Sequence, residues 1–221
     1  MLNRPEIDHR TTKLIVGIIA LGLPVLTSLF ASQPLQSISA SFYETSNSGW
    51  SQIIFIGFLF AIAAFLLAYN GRSTSEMCMS KLAAVAALGV ALFRCRCVCH
   101  NELVPHVHAL SATTMFLVLT YFCFAFLKRA RDKKHIQALA RAIIYALCAI
   151  AMLLSVAVLA IEAWPGETPF RHIARLTFYG ETTGLVAFGV SWLTASLTLP
   201  ILTRPDERFS PLRNDNPPDI A

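Results

Sequence analysis

Residues 142–163 read AIIYALCAIAMLLSVAVLAIEA, and this stretch carries no charged side chain before Glu162. An α-helix rises about 1.5 Å per residue, so roughly 20 apolar residues cross the hydrocarbon core of a bilayer. The strands of a membrane barrel are shorter and alternate between apolar and polar residues, a pattern that this stretch lacks. It therefore predicts a membrane-spanning helix.

Five other stretches share this length and apolar character. Backbone polar groups in hydrocarbon must be satisfied within the segment, and a helix achieves this. The sequence therefore predicts an all-α polytopic membrane protein, with a six-transmembrane-helix bundle over residues 1–203 and a disordered, proline-rich cytoplasmic tail over residues 204–221. The five stretches are Leu14–Phe30, Trp50–Tyr69, Leu82 to about Val98, Val107–Leu127 and Phe178–Leu202.

The composition supports the same class. Apolar residues make up 55% of the 221 residues, charged residues make up 14%, and the mean hydropathy is +0.58. A soluble domain usually carries about 25% charged residues. The net charge of +5 does not indicate a nucleic-acid partner, because the Lys and Arg residues lie between the apolar stretches.

The first stretch also resembles a secretory signal peptide, because Arg10 and Lys13 precede an apolar core. A signal peptide ends in small residues before its cleavage site, whereas Leu29 occupies that place here. We therefore expect the first helix to be retained.

The distribution of Lys and Arg predicts the orientation of the chain. Of the 18 such residues, Arg94, Arg96, Arg171 and Arg175 fall on one predicted side, and all the others fall on the opposite side. Cytoplasmic loops are the ones enriched in Lys and Arg. Both termini are therefore expected in the cytoplasm.

Polar residues suited to ligand binding gather on the predicted outer side, in the first loop and at the starts of the fourth and sixth helices. A carboxylate inside a membrane helix is energetically unfavourable unless a partner side chain or water stabilises it. The predicted ligand-binding residues are Ser39, Tyr43, Glu44, His108, Ser111, Tyr179 and Glu181.

Glu181 and His108 are the two candidates for catalysis within this set. Glu181 is expected to face the bundle interior as a ligand or general base; the alternative is an interfacial carboxylate hydrated by lipid headgroups. His108 begins the fourth helix and is either a ligand or a hydrated helix end.

The run Arg94-Cys95-Arg96-Cys97-Val98-Cys99-His100 is the most unusual stretch. Thiolates and imidazole bind Zn or Cu, and neighbouring Arg residues favour the thiolate. The spacing is not that of a structural zinc site, however, and thiols on an outer face also oxidise to disulfides. The candidate metal ligands are Cys95, Cys97, Cys99 and His100; Cys123 and Cys148 are expected only to pack.

Several short motifs resemble a family of uncharacterised six-helix bacterial integral membrane proteins. The family reads S-I-S-x-Y-Y-Y, F-L-L-x-Y-x-G, A-L-G-V-A-L-F, V-H-x-x-x-A and E-x-x-x-x-x-A-F-G-x-S-W. The matching segments here begin at Ser37, Phe65, Ala87, Val107 and Glu181. The resemblance implies the six-helix fold over residues 14–193 and a place in the inner (plasma) membrane of a bacterium, and it is nearly silent on activity.

Two departures from the family pattern stand out. Gln52-Ile53 replaces an Arg-Asp pair at the start of the second helix, and Arg94-Cys95 replaces Pro-Thr. A looser similarity is to seven-helix zinc hydrolases that cleave lipid amides, but their H-x-x-x-H pair is absent from this sequence.

Three functions remain open from the sequence. The first is an outward-facing polar pocket that binds or handles a metal ion or small ligand, with Zn or Cu as the metal. The second is an accessory or structural subunit that docks against a membrane-protein partner or a second copy. The third is an intramembrane zinc-dependent lipid hydrolase.

Overall fold

The structure is a computed structural model, and it describes residues 8–95, 104, 106–162 and 173–211. These residues form six α-helices and no strand. The all-α prediction is therefore confirmed for the described part of the chain. The helices are α1 (His9–Phe30), α2 (Trp50–Ala68), α3 (Thr74–Leu92), α4 (Val107–Asp132), α5 (Ile136–Glu162) and α6 (Leu176–Ala195).

The helix boundaries differ most from the sequence-based ones in α3 and α6. The hydroxyl of Ser73 accepts a hydrogen bond from the amide of Glu76, so α3 begins in polar residues that an apolar pattern does not include. It ends at Leu92, because Phe93 is extended. In α6 the end comes at Ala195, and Leu197 adopts the left-handed conformation with φ 61°.

The six helices form a closed ring. Each helix packs against the next in the chain, α6 packs against α1, and α4 also touches α6 across the interior. Hydroxyl groups join several neighbours: Ser51 donates to the carbonyl of Thr27 at 2.9 Å, and Ser155 donates to the carbonyl of Gly180. We name the two ends of the ring by the carboxylates that lie there, the Glu181 end and the Glu207 end.

The outer surface of the ring is apolar. Along α5 the side chains of Leu139, Ile143, Leu147, Ile150 and Leu154 recur every three or four residues, and each is more than half exposed. A soluble protein rarely exposes such a continuous stripe. Five helices, α1 to α5, are long and apolar enough to cross a bilayer. These features indicate an integral membrane protein.

Glycine permits the contact that closes the ring between α6 and α1. A Cβ on Gly189 would lie 2.6 Å from Cγ of Leu21 and 2.9 Å from the carbonyl oxygen of Gly17. A Cβ on Gly17 would lie 2.9 Å from the backbone nitrogen of Leu193. Small residues allow such close approach of helix backbones in membranes.

We expect Gly189→Ala to lower stability by about 1 to 3 kcal/mol, because the added methyl group overpacks this contact. The matched control is Gly57→Ala, since no atom lies within 4 Å of the position that its Cβ would occupy. Thermal unfolding in detergent checks the difference. Equal melting temperatures for the two variants would contradict the packing described here.

The segment after α6 returns to the bundle. The amide of Phe209 donates to the carbonyl of Leu197 at 3.1 Å, and the Phe209 ring is buried below the guanidinium of Arg10. Glu207 accepts hydrogen bonds from Lys133 at 2.8 Å and from Arg141 at 3.1 Å. Residues 204–211, assigned to a disordered tail from sequence, therefore have a defined path; residues 212–221 lie outside the described part.

Two cations control the ionisation of Glu207. Burial opposes the charged form, but the hydrogen bond and charge of Lys133 and the charge of Arg141 outweigh it and lower the pKa to about 2. Because this pKa lies below the ordinary value of 4.5, ionised Glu207 stabilises the attachment above about pH 4.5. The stabilisation is lost as the pH falls toward 2.

We expect hydrogen exchange in residues 197–209 to show this loss. In the native protein, the free energy of local opening that protects these amides should decrease between pH 5 and pH 3, by no more than about 3 kcal/mol. Glu207→Gln removes the dependence on pH, whereas Asp206→Asn retains it, because Asp206 is 64% exposed beside Arg204. If hydrogen exchange in the native protein depended on pH no more than in Glu207→Gln, the stabilising role of ionised Glu207 would be contradicted.

Candidate functional site

Glu181 connects the first loop, residues 31–49, to α6 through hydrogen bonds. Oε2 of Glu181 accepts hydrogen bonds from the amides of Ile38 and Ser39, the latter at 3.2 Å. Oε1 accepts the hydroxyl of Ser39 at 2.8 Å. Glu181 lies in the second turn of α6.

Ser39 extends this contact to α4. Its hydroxyl lies 3.1 Å from Nε2 of His108, and Nδ1 of His108 lies 2.8 Å from the carbonyl oxygen of Phe93. Ser39 and His108 are both buried. A continuous hydrogen-bonded chain therefore runs from Glu181 through Ser39 and His108 to Phe93, and it joins the first loop, α6, α4 and the end of α3.

The protonation of this chain follows from counting hydrogens. A carbonyl oxygen only accepts, so Nδ1 of His108 carries a hydrogen and donates it to Phe93. The serine hydroxyl has one hydrogen, yet it takes part in two hydrogen bonds. One more hydrogen must therefore lie on Oε1 of Glu181 or on Nε2 of His108.

Two arrangements satisfy this count, and both have no net charge. In one, Glu181 is a carboxylate and His108 an imidazolium; in the other, Glu181 is a carboxylic acid and His108 is neutral. They interconvert when the hydroxyl of Ser39 passes one proton on and accepts another. If the shared proton leaves these three side chains, the hydroxyl of Ser39 has only one hydrogen for its two contacts, so one of the two hydrogen bonds is lost.

The bond between Ser39 and His108 is the one that breaks on deprotonation. An ionised carboxylate accepts a stronger hydrogen bond than a neutral imidazole does, so the hydroxyl of Ser39 stays with Glu181. The backbone bonds of Ile38 and Ser39 to Glu181 also persist, because they need no shared proton. Loss of the proton therefore removes the hydrogen bond between Ser39 and His108 but leaves the bonds between the first loop and Glu181.

The other predicted ligand residues lie apart from this chain. Tyr43 donates to the carbonyl of Cys95 at 2.7 Å, which ties the first loop to the end of α3. Glu44 accepts from Ser32 and from the amide of Ser46. Ser111 packs against Gly89 on α3, and Tyr179 is 53% exposed. Of the seven residues, Ser39, His108 and Glu181 are the ones in direct hydrogen-bond contact.

The cysteine run lies largely outside the described residues. Cys95 is described and is disulfide-bonded, so in this state it offers no thiolate to a metal. Cys97, Cys99 and His100, which the sequence analysis also names as metal ligands, are not described. Within the described part of the chain, no three His, Cys, Asp or Glu side chains lie together as a metal site.

Two arginines also contact the first loop, but they are not part of the hydrogen-bonded chain of Glu181, Ser39 and His108. Nε of Arg175 donates to the carbonyl of Leu35 at 2.7 Å, and its guanidinium lies over the Phe178 ring. The guanidinium of Arg94 lies over the Phe42 ring at 5.6 Å. Both cations thus hold the first loop, as Glu181 does.

Sequence reasoning missed two parts of the molecule. The backbone groups of Ile38 and Phe93 complete the hydrogen-bonded chain, and no side-chain motif signals a backbone partner. At the Glu207 end, six cations from separate segments surround one cavity. Because these residues are far apart in the sequence, the only signal was an excess of Lys and Arg on one side.

Comparisons with protein-family models, with curated proteins and with solved structures find no match to this chain.

We expect Glu181→Ala to release the first loop. The amides of Ile38 and Ser39 lose an ionisable acceptor, and a hydrogen bond to such a group contributes about 1.5 to 3 kcal/mol. Hydrogen exchange in residues 37–42 should accelerate by about tenfold or more. Glu44→Ala is the matched control from the same loop, and equal acceleration in both variants would contradict the role of Glu181.

Proposed function

We propose that this chain is an integral membrane binding protein that crosses the bilayer six times, with the Glu181 end outward and both termini in the cytoplasm. The apolar outer surface of α1 to α5 supports the membrane location. The place of α6 between α5 and α1 in the closed ring supports its count as a sixth span. The bacterial plasma membrane is the location that the resemblance implies.

Two observations support the proposed orientation. Lys and Arg are concentrated at the Glu207 end, and such residues favour the cytoplasmic side. Cys95 at the opposite end is disulfide-bonded, and disulfides persist in oxidising compartments outside the cytoplasm.

The proposed activity is reversible binding of a small cation or hydrogen-bond donor at the Glu181 end, with exchange of a proton. The observation that carries this proposal is the chain from Glu181 through Ser39 to His108. A cationic ligand that contacts the carboxylate of Glu181 and a neutral His108 replaces the shared proton. The proton leaves to the outer solution, so ligand binding and proton release are the same event.

The contact between Ser39 and His108 changes in this exchange. The protonated arrangement joins Ser39 to both Glu181 and His108, whereas the deprotonated one joins it to Glu181 alone. Nε2 of His108 then offers its lone pair to a cationic ligand instead of to the hydroxyl of Ser39. The nearby charged groups contact other residues: Arg94 contacts Phe42, Arg175 contacts Leu35, Glu44 contacts Ser32, and Glu162 contacts Thr177.

A zinc hydrolase receives less support than a binding protein. Zinc enzymes hold their metal with three protein ligands, and the described residues offer Glu181 and His108 together without a third. The two side chains are also joined through a serine, an arrangement that suits proton exchange.

Infrared difference spectra between acidic and alkaline solutions of the detergent-purified protein test the shared proton. We expect the native chain to show signals of a titrating carboxyl group that disappear in Glu181→Gln. The same signals should disappear in His108→Gln, because glutamine donates to Ser39 without needing the shared proton. Glu44→Gln is the matched control and should retain them.

The His108→Gln variant separates the proposal from a simple titrating carboxylate, since Glu181 is intact in it. Carboxyl signals that persist in this variant would show that Glu181 titrates independently of His108, and they would contradict the proposal. Addition of Zn²⁺ as a probe cation at constant acidic pH should produce the same spectral change in the native chain and none in His108→Gln.

A further inference from the structure

Helices α3 and α4 make two contacts that lie one helical turn apart near the Glu181 end. At the end itself, the carbonyl oxygen of Phe93, the residue after α3, lies 2.8 Å from Nδ1 of His108 on α4. Gly89 precedes Phe93 by four residues, and Ser111 follows His108 by three. Residues at these spacings share a helix face, so the contact between Gly89 and Ser111 lies one turn further into the bundle.

The contact between Gly89 and Ser111 leaves no space for a side chain on α3. A Cβ on Gly89 would lie 2.2 Å from Oγ of Ser111 and 2.9 Å from its Cβ. The hydroxyl group can rotate away, but the Cβ of Ser111 is fixed to the backbone of α4. Ordinary van der Waals contact begins at 3.4 Å, so a larger residue at position 89 must push the two helices apart. Glycine therefore sets how closely α3 and α4 approach.

This close approach also positions the carbonyl group of Phe93. The amide of Phe93 donates to the carbonyl oxygen of Gly89 at 3.1 Å, so the two residues belong to one helix end. The carbonyl of Phe93 lies beyond the last turn of α3 and bonds to His108. Such hydrogen bonds weaken when donor and acceptor separate beyond about 3.2 Å. Separation of the helices at Gly89 therefore weakens the bond that decides which nitrogen of His108 carries a hydrogen.

The position of this hydrogen decides whether the site needs the shared proton. With the hydrogen on Nδ1, a neutral His108 offers Nε2 as an acceptor, and the one hydrogen of Ser39 cannot serve both His108 and Glu181. With the hydrogen on Nε2 instead, the imidazole donates to Ser39, and Ser39 donates to the carboxylate of Glu181. Both bonds are then made without an additional proton.

We propose that Gly89 is a positioning residue of the proton site, and that its lack of a side chain couples ligand exchange to a proton. This role rests on the proposed function and adds to it a residue that touches neither Glu181 nor the ligand. With a side chain at position 89, a cation still reaches Glu181 and His108. It then binds without net release of a proton, because the hydrogen on Nε2 of His108 moves to Nδ1.

Nitrogen-15 NMR of labelled His108 in the full-length protein tests this role, in alkaline detergent solution from which the shared proton has left. We expect the native protein to carry the hydrogen on Nδ1 and Gly89→Ala to move it toward Nε2. The variant Gly89→Ala/Ser111→Gly should return it to Nδ1, because it removes both atoms that the added Cβ would meet within 4 Å. Rescue by the second substitution assigns the effect to this one contact.

Three further variants control the measurement. Gly189→Ala crowds a different contact, that of α6 with Leu21 on α1, and should lower the melting temperature without moving the hydrogen of His108. Ser111→Gly alone should also leave the hydrogen in place, because Gly89 is intact. Gly89→Ala/Ser111→Ala retains the close contact between the two Cβ atoms without the hydroxyl. It should move the hydrogen toward Nε2, and it replaces Gly89→Ala if that variant does not fold.

The protons released when Zn²⁺ binds provide a readout of function. Calorimetric titration of the protein with Zn²⁺ in acidic buffers of different ionisation enthalpy measures this number. We expect the native protein and Gly89→Ala/Ser111→Gly to release a proton when the cation binds. Gly89→Ala should bind the cation with loss of this release.

Two results would overturn the role of Gly89. In the first, a folded Gly89→Ala keeps the hydrogen of His108 on Nδ1. In the second, Gly189→Ala moves the hydrogen as far as Gly89→Ala does, which indicates only a general loosening of the bundle. Both results leave the proposed function intact, since they concern the variants. A native protein that binds Zn²⁺ without releasing a proton would contradict the proposed function itself, and the role of Gly89 with it.

Discussion

A carboxylate placed inside an apolar helix must find hydrogen-bond donors, and Glu181 finds them in the backbone of the first loop. Its bonds to the amides of Ile38 and Ser39 fix where that loop lies. The loop position in turn brings the hydroxyl of Ser39 to His108 and that of Tyr43 to the carbonyl of Cys95. Glu181 therefore positions the part of the first loop that contacts His108.

The two ends of the ring differ in how their described acidic side chains are held. At the Glu181 end, the side chain accepts hydrogen bonds from Ile38 and Ser39 and belongs to a hydrogen-bonded chain that includes His108. At the Glu207 end, Glu207 stays ionised because Lys133 and Arg141 lie beside it and lower its pKa. One end therefore suits exchange of a proton, whereas the other keeps its carboxylate charged.

Much of the fold could be predicted from the sequence, because membrane helices depend on local apolar runs. The stretch from Ala142 onward and α2 needed no tertiary information. The start of α3 was less predictable, since it depends on a cap at Ser73. The return of Phe209 to the bundle was missed, because a segment rich in proline and charge gives no local sign of its burial.

Side-chain chemistry singled out Glu181, His108 and Ser39, and the structure places them in one hydrogen-bonded chain. Sequence could not supply the order of the chain, since the carbonyl of Phe93 sets which nitrogen of His108 carries a hydrogen. Nitrogen-15 NMR of labelled His108, assigned with His108→Gln, tests this order directly. The account predicts a protonated Nδ1 at every pH at which the fold persists. A neutral His108 with its hydrogen on Nε2 alone would contradict it.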